Sequence, residues 1–589
     1  MNTFLSNLSM QSKRSFRIVW EGLRAVPHIK LSVLRKVFSL MDERERLIAL
    51  ILLIVSVVTF IFSSIDLTKR YTEIVPAHGG VYNEGIIGQP QFINPLYAIS
   101  PTDRALVNLI YSGLYKYDNN GNVVPDLAES FPEVTEEGKV YKVKIKPATW
   151  HNGLPVTASD VVFTIKTIQD QEFNSPKRTE WLSTTATAVD QQTVVFTLKN
   201  ASAPFLNNLT LPLISEVVWS KVNPADLKLA QTNIEAVGTG PYTVKEVKKL
   251  EGGSIQSITL KSYDKFYTGE AFLDTLHINF YEDGDSLLKA KLGNQIDGFG
   301  FSQFEERVSI KQSAKDLHIH QIPLPQYQAV FLNTAIKTLG DARVRKALNL
   351  ATNKQQILSN VYDEQGLIID GPILTQHVSN LPEPVKSANI EEANKILDQA
   401  NWVLNRDTNI RSKNGVELKF TIATNDRGIN KQTAEILAEQ WKAIGVGISL
   451  NILPTKELTE NVIKPRNYDM LIFAQKLGAD PDPFVFWHSS QTKSPGLNLS
   501  SYSNQAVDQL ISEARATSDK SERDQKYLQL HELMKQDLPA IFLVQSVYTY
   551  AIDEDIKGVD IQSLPDETAR FYNLRNWYID TRRALKKNS

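Results

Sequence analysis

Nineteen consecutive residues, Leu47 to Ile65, carry no charge, and a run of that length spans the apolar core of a bilayer as one helix. Beyond it the pattern shortens: Tyr141, Val143 and Ile145 alternate with polar residues, and Thr193 to Leu198, Ile258 to Leu260, Leu276 to Phe280 and His318 to Ile322 are further short apolar-rich segments. Ala329 to Leu332, Ile541 to Val544 and Tyr548 to Ile552 continue the series. Such segments predict strands. Helical stripes are fewer. Thr157 and Asp160 form a capping box before Val161, Val162 and Ile165, and further helices are predicted from Asp341 to Leu350, after a Ser503 cap, and around Tyr527, Leu530 and Met534.

The most ordered stretch lies in the second half of the chain. Leu418, Phe420 and Ile422 alternate, as do Ile448, Leu450 and Ile452, and between them Lys431 to Ile444 carries one apolar stripe that stops at Gly445. A shorter helix from Thr455 to Ile463 leads to the apolar run Met470 to Ala474. This is a βαβαβ pattern, whose crossovers require parallel strands. The cluster Gly478, Asp480, Pro481, Asp482 and Pro483 then ends the last strand in a turn. Ligands of open parallel sheets bind beyond the carboxyl ends of the strands. That places Asn425 to Arg427 and Gly478 to Asp482 at a cleft.

Length and composition narrow the classes. With 589 residues the chain exceeds a single core, so two or three lobes are expected. A formal net charge of -2 argues against nucleic acid as the main partner. There is no cysteine, hence no disulfide, thiolate metal site, cysteine nucleophile or lipid-modified cysteine. Residues 1–46 hold nine Lys or Arg against four acids, with Val19, Trp20, Leu23, Val26, Leu31, Leu34, Val37, Phe38 and Met41 on a loose helical stripe. They suggest a helix on an anionic leaflet, or a disordered basic arm. The cation excess before Leu47 keeps the amino terminus cytoplasmic and sends Asp66 onward outside. Forty-six residues are too many for the charged region of a signal peptide. The expectation is an uncleaved helix at 47–65 and a tether at 66–78.

Specific strings carry a further likeness. FINPLYAIS (Phe92 to Ser100), SGLYKYDNNGNVVPDLAESF (Ser112 to Phe131), TWHNGLPVTASDVVFTI (Thr149 to Ile165), VGTGPYTV (Val237 to Val244) and DARVRKALNLATNK (Asp341 to Lys354) occur in that order. From Gly79 to Asp580 the chain closely resembles bacterial extracellular solute-binding proteins of the oligopeptide, dipeptide and nickel group, receptors of ABC importers. The resemblance implies an α/β fold of two hinged lobes with an extra domain, as in periplasmic binding proteins. Lobe one would be 79–115, 235–326 and 546–580, the extra domain 116–234 and lobe two 327–545, with 581–589 a basic tail. It also implies a monomeric receptor, with no cofactor and no catalysis, that hands a peptide to permease subunits at the membrane.

In oligopeptide binders of this group the acid on the turn after the lobe-two strand pairs with the ligand's α-amino group, and the matching position here is Asp480. Backbone of Lys476 and Gly478, and of Ala98, Ile99 and Ser100 after Asn94-Pro95, would bond the peptide as an added strand. Two departures stand out: Leu477 replaces the tryptophan usual three residues before the acid, and the turn is one residue shorter. Pocket size and ligand length are therefore open. Nickel chelates, haem, sugars and signalling peptides remain alternative cargo.

Blander roles compete with these. Asp480 could merely cap the following segment, and Asp482 reads as structural. Arg427, after a strand's carboxyl end, could fork onto a ligand carboxylate or lie on the surface. His318 and His320 share a strand face, yet no third metal ligand accompanies them in sequence. Trp150 and His151 read as packing and turn residues, Arg343 and Arg345 as salt-bridge partners on their helix, and Asn208-Leu209-Thr210 as a sequon in form only. Absence of a Gly-x-Ser-x-Gly elbow, a phosphate loop or metal-ligand spacing disfavours a secreted hydrolase. An adhesion module is a second rival.

Overall fold

The computed structural model describes residues 39–301, 318–378, 380–517 and 519–586. The expected amphipathic segment at 1–46 falls mostly outside them. Two compact units emerge: residues up to Val75 together with those from Arg582 onward, and Pro76–Thr581.

In the first unit the apolar run forms a 29-residue helix, Glu43–Tyr71. Its start is fixed by Asp42, whose carboxylate accepts the Arg44 and Glu45 N–H groups at 2.9 and 2.8 Å, while Glu45 returns a bond to the Asp42 N–H. The mean hydropathy of its best window is 2.8 and none of its residues is buried. The helix overruns the expected 47–65, and a strand, Thr72–Pro76, follows it directly. That strand pairs with Thr581–Leu585. Residues 72–76 of the expected tether and 581–585 of the expected basic tail are thus strands, because backbone pairing, which charge and length do not reveal, satisfies both.

The second unit is built on an eleven-stranded sheet. Its path runs Gly447–Leu453, Lys419–Asn425, Met470–Lys476, His318–Leu332, Ala540–Ile552, Gly298–Phe301, Val81–Ile87, Thr275–Tyr281, Ile255–Ser262 and Tyr242–Lys249, with Leu367–Ile368 beside Ala540–Ile552. The first three strands are parallel, as the βαβαβ pattern predicts. Between the first pair the Gly428–Lys442 helix buries Ala434, Leu437 and Trp441. Trp441 is fully buried, and its indole N–H donates to the Leu348 carbonyl at 3.0 Å. Truncating a buried ring of this kind to alanine costs about 3–5 kcal/mol.

Four segments read as separate strands are two long ones. His318–Leu332 and Ala540–Ile552 run antiparallel along their whole length, with pairing interrupted between Pro323 and Tyr327. Pro323 and Pro325 break the alternation there, since proline donates no ladder bond. These strands pass from one lobe to the other. One lobe packs around Tyr82, Leu106, Ile278 and Trp577. The other has cores on both sheet faces, around Val330, Leu348 and Trp441 and around Phe331, Trp487 and Leu530. A separate four-stranded sheet, Glu133–Thr135, Val140–Lys144, Thr193–Leu198 and Thr184–Ala188 in spatial order, carries its own core around Trp150, Trp181 and Phe196.

Local chemistry explains smaller differences. Asn504, not Ser503, caps the Gln505–Ala516 helix, its amide oxygen taking the Ala506 and Val507 N–H groups. Arg343 pairs with Asp341 at 2.7 Å, but Arg345 makes no bridge on its helix. Buried, it donates to the carbonyls of Leu339, Gly340, Asp537 and Leu538. Gly238 lies so near the Ile110 carbonyl that a Cβ would stand 1.8 Å from its oxygen. His151 closes the same turn, accepting the Gly238 N–H and donating to the Gly240 carbonyl at 3.0 Å.

Candidate functional site

Spatial order among the parallel strands is second, first, third, so their direction of winding reverses between Lys419–Asn425 and Met470–Lys476. A crevice opens at such a switch point, at the strands' carboxyl ends. Only Met470 and Leu471 of the last strand pair with the first, through Ala423 and Ile422. From Phe473 to Lys476 that strand is paired on one side alone among the described residues, against Gln326 to Ala329. Its other edge faces a cavity of about 760 Å³ lined by Phe473 to Lys476, Gln328, Asn425, Arg427 and Asn430.

Amides fix the floor of this cavity. Gln328 donates to Asn430 at 2.6 Å, and Asn430 donates to Asn425 at 2.7 Å. The Tyr327 hydroxyl donates to Gln475 Oε1. Gln475 Nε2 is buried without a partner among the described residues. Among the described residues no acid lines the cavity, while Arg427 and Lys476 do. Neither cation has a side-chain hydrogen bond or ion pair among the described residues.

Asp480 lines a different cavity, of about 660 Å³, with Asn207, His377, Arg523 and Tyr527. Its Oδ2 accepts the Asn207 amide at 2.9 Å and lies 3.6 Å from Arg523. Tyr117 donates to the Asn207 oxygen at 3.1 Å. The Asp480 side chain is 11% exposed. Burial pushes its carboxyl above the ordinary range, Arg523 pulls it back, and Asp482 adds to the rise. Arg523 Nε is itself buried and unpartnered among the described residues. Burial also holds His377 down to about 4, and neither of its ring nitrogens has a hydrogen-bond partner among the described residues.

Asp480 also accepts the Asp482 N–H at 2.9 Å, so it combines the turn-capping role with a place in a cavity. Asp482 pairs with Arg515 at 3.0 Å and accepts the Phe484 N–H at 3.1 Å. Gly478 has φ +80, with open space where a Cβ would be. Lys476 and Arg427 line the first cavity and Asp480 the second, and Gly478 lies on the chain between Lys476 and Asp480. Ala98, Ile99 and Ser100 line neither. Ala98 is buried with its N–H on the Asn94 carbonyl, and Ser100 caps the Pro101–Ile110 helix. Ile99 alone is exposed.

Sequence reading missed Asn207, Tyr117, His377, Arg523 and Gln475. Asn207 neighbours the sequon noted above, and Arg523 lies one turn before Tyr527 on the stripe that Leu530 and Met534 continue; neither position announces a partner. His318 and His320 lie edge to face at 4.5 Å. No group of three or more His, Cys, Asp or Glu is placed for a metal among the described residues.

The family model for bacterial extracellular solute-binding proteins, family 5 middle, matches residues 122–496, more than half of the chain. The chain belongs to this family of extracellular solute-binding proteins. The receptor is 28% identical over 518 residues to oligopeptide-binding protein AppA of Bacillus subtilis, covering 86% of this chain and 92% of that one. It is 25% identical over 478 residues to the nickel-binding periplasmic protein of Escherichia coli, covering 76% and 86% respectively. Among solved structures, that of AppA from Bacillus subtilis in complex with a nonapeptide superposes with TM-score 0.63 at 26% identity, covering 87% of the receptor and 100% of the other chain.

Proposed function

We propose that this receptor captures peptides between its lobes and delivers them, as a single copy, to the permease of an ABC importer, held at the cell surface by its Glu43–Tyr71 helix. The observation that carries the peptide reading is the open edge from Phe473 to Lys476 beside a cavity. An extended peptide adds to such an edge through main-chain bonds, which ignore side chains. Asp480 would take the α-amino group, Lys476 and Gly478 would offer backbone, and Arg427 would receive a carboxylate. Ile99 would meet the ligand from lobe one, with Ala98 and Ser100 holding its loop. The cationic cavity, with no acid among its described lining residues, and the peptide-binding relative support this polarity. The lobes would hinge where the long strands lose pairing, between Pro323 and Tyr327.

Asp480→Ala tests the reading. Loss of one partner of a buried charge pair costs about 2–5 kcal/mol, so free peptides should bind at least about thirtyfold more weakly, the factor for about 2 kcal/mol. Arg523, left without its acid, would add repulsion toward the amine. Amino-terminally acetylated peptides should bind wild type poorly and lose little more on mutation. Titration calorimetry against a peptide library reads both. Equal affinity of wild type and Asp480→Ala for free peptides rejects the site, and binding of nickel chelates but no peptide rejects the cargo.

A further inference from the structure

The apolar helix does not end in a free linker. The Lys586 N–H donates to the Tyr71 carbonyl at 2.9 Å, and the Ala77 N–H donates to the Asp580 carbonyl at 2.9 Å. Partner numbers fall as residue numbers rise, so Thr72–Pro76 and Thr581–Leu585 run antiparallel, with Thr72 opposite Leu585 and Ile74 opposite Arg583. These four share one face, on which Arg583 donates to the Thr72 hydroxyl at 3.0 Å. Arg582 and Lys586 alternate onto the other.

That composition is ill suited to water. Ile74 and Leu585 are 65% and 56% exposed on the one face, and a two-stranded ribbon has little stability alone. Exposed cations surround them: Lys69 and Arg70 in the helix's last turn, then Arg582, Arg583 and Lys586. The opposing acids are Asp66, which pairs with Arg70 at 2.7 Å, with Glu73 and Asp580. Exposed apolar side chains among Lys and Arg suit the boundary between headgroups and acyl chains. Tyr71, exposed at the helix end, suits the same depth.

We infer that this ribbon lies in the outer headgroup layer of the bilayer its helix crosses, with Ile74 and Leu585 against the lipid and Arg582, Arg583 and Lys586 on the phosphates of anionic lipids. The inference rests on the helix being a retained anchor. It makes the Thr581–Leu585 strand a second point of membrane attachment.

Because the chain has no cysteine, Ala584→Cys gives a single labelling site on the full-length protein. A fluorophore there is followed in nanodiscs of phosphatidylcholine, with or without phosphatidylglycerol, carrying a headgroup-tethered quencher. Each cation near an anionic surface contributes about 1 kcal/mol, so quenching should be at least about threefold stronger with phosphatidylglycerol. Adding R582E, R583E and K586E should abolish the difference, while R582K with R583K should keep it. Equal quenching in both lipids, in discs that hold the protein, overturns the ribbon's role and leaves the anchor standing. A mature chain in native membranes that begins after Tyr71 overturns both.

Discussion

Asp480 is a carboxylate whose ionisation burial makes more costly in the fold than in water. Its burial outweighs Arg523, so its folded pKa lies above the ordinary 3.8. Such a group contributes stability that is fully present below the unfolded pKa and is lost as pH rises through the folded one. Asparagine in its place stays neutral at every pH. Asp480→Asn is therefore expected to melt above wild type at pH 7 without ligand, with the gap closing as pH falls below 3.8. Scanning calorimetry across that range checks it, and a variant less stable than wild type at pH 7 would show that the Arg523 pairing prevails. An amine that holds Asp480 ionised offsets the same cost, so peptide affinity should fall as the acid protonates. The position of Asp480 was legible, because a Gly, Asp and Pro cluster after an apolar run marks the end of a strand. Its partners were not, since Asn207 lies 273 residues away. The same limit hid Arg345, whose carbonyl acceptors include residues nearly 200 positions distant.

At the scale of elements, charge is buried where segments far apart in the chain meet. Glu84, on the Val81–Ile87 strand, is fully buried. Its carboxylate accepts from Arg570 at 2.9 and 3.0 Å, from Tyr82 at 2.6 Å and from Tyr550 at 2.8 Å. One acid thus joins its own strand to the long Ala540–Ile552 strand and to the carboxyl-terminal segment. Glu84→Ala would strand the Arg570 guanidinium in the core, and removal of one partner of a buried pair typically costs about 3–5 kcal/mol. Urea unfolding should show a loss of that order. A loss under about 1 kcal/mol would mean water reaches Arg570, as at exposed pairs. Sequence patterning found the Ala540–Ile552 strand in two pieces, Ile541 to Val544 and Tyr548 to Ile552, but neither the Val81–Ile87 strand nor this junction. Alternation reports which face of a strand is apolar, and Glu84 breaks the pattern of its own strand. Prolines misled in the opposite sense, dividing His318–Leu332 into two apparent strands where the sheet carries one across an interruption.

For the molecule as a whole, those two long strands are the continuous backbone between the lobes, and contacts between the smaller sheet's domain and lobe two lie away from them. Asn207 donates to Asp480 at 2.9 Å, and the Ala203 N–H donates to the Arg515 carbonyl at 3.1 Å. Few polar contacts of this kind leave room for the lobes to part about the hinge, and a ligand bonded to both sides would hold them together. A ligand that binds the native state alone also stabilises it, by about 2.7 kcal/mol at a hundred times its dissociation constant. Lys199→Cys and Glu532→Cys, on exposed positions of the two sides, give a label pair in a chain with no other cysteine. Electron resonance distances between them should shift to shorter values on adding a peptide that the receptor retains, and the melting temperature should rise in the same titration. Should neither distance nor melting temperature move at saturating peptide, capture by lobe closure is wrong for this chain, because a ligand shifts a conformational equilibrium only by its difference in affinity for the two states.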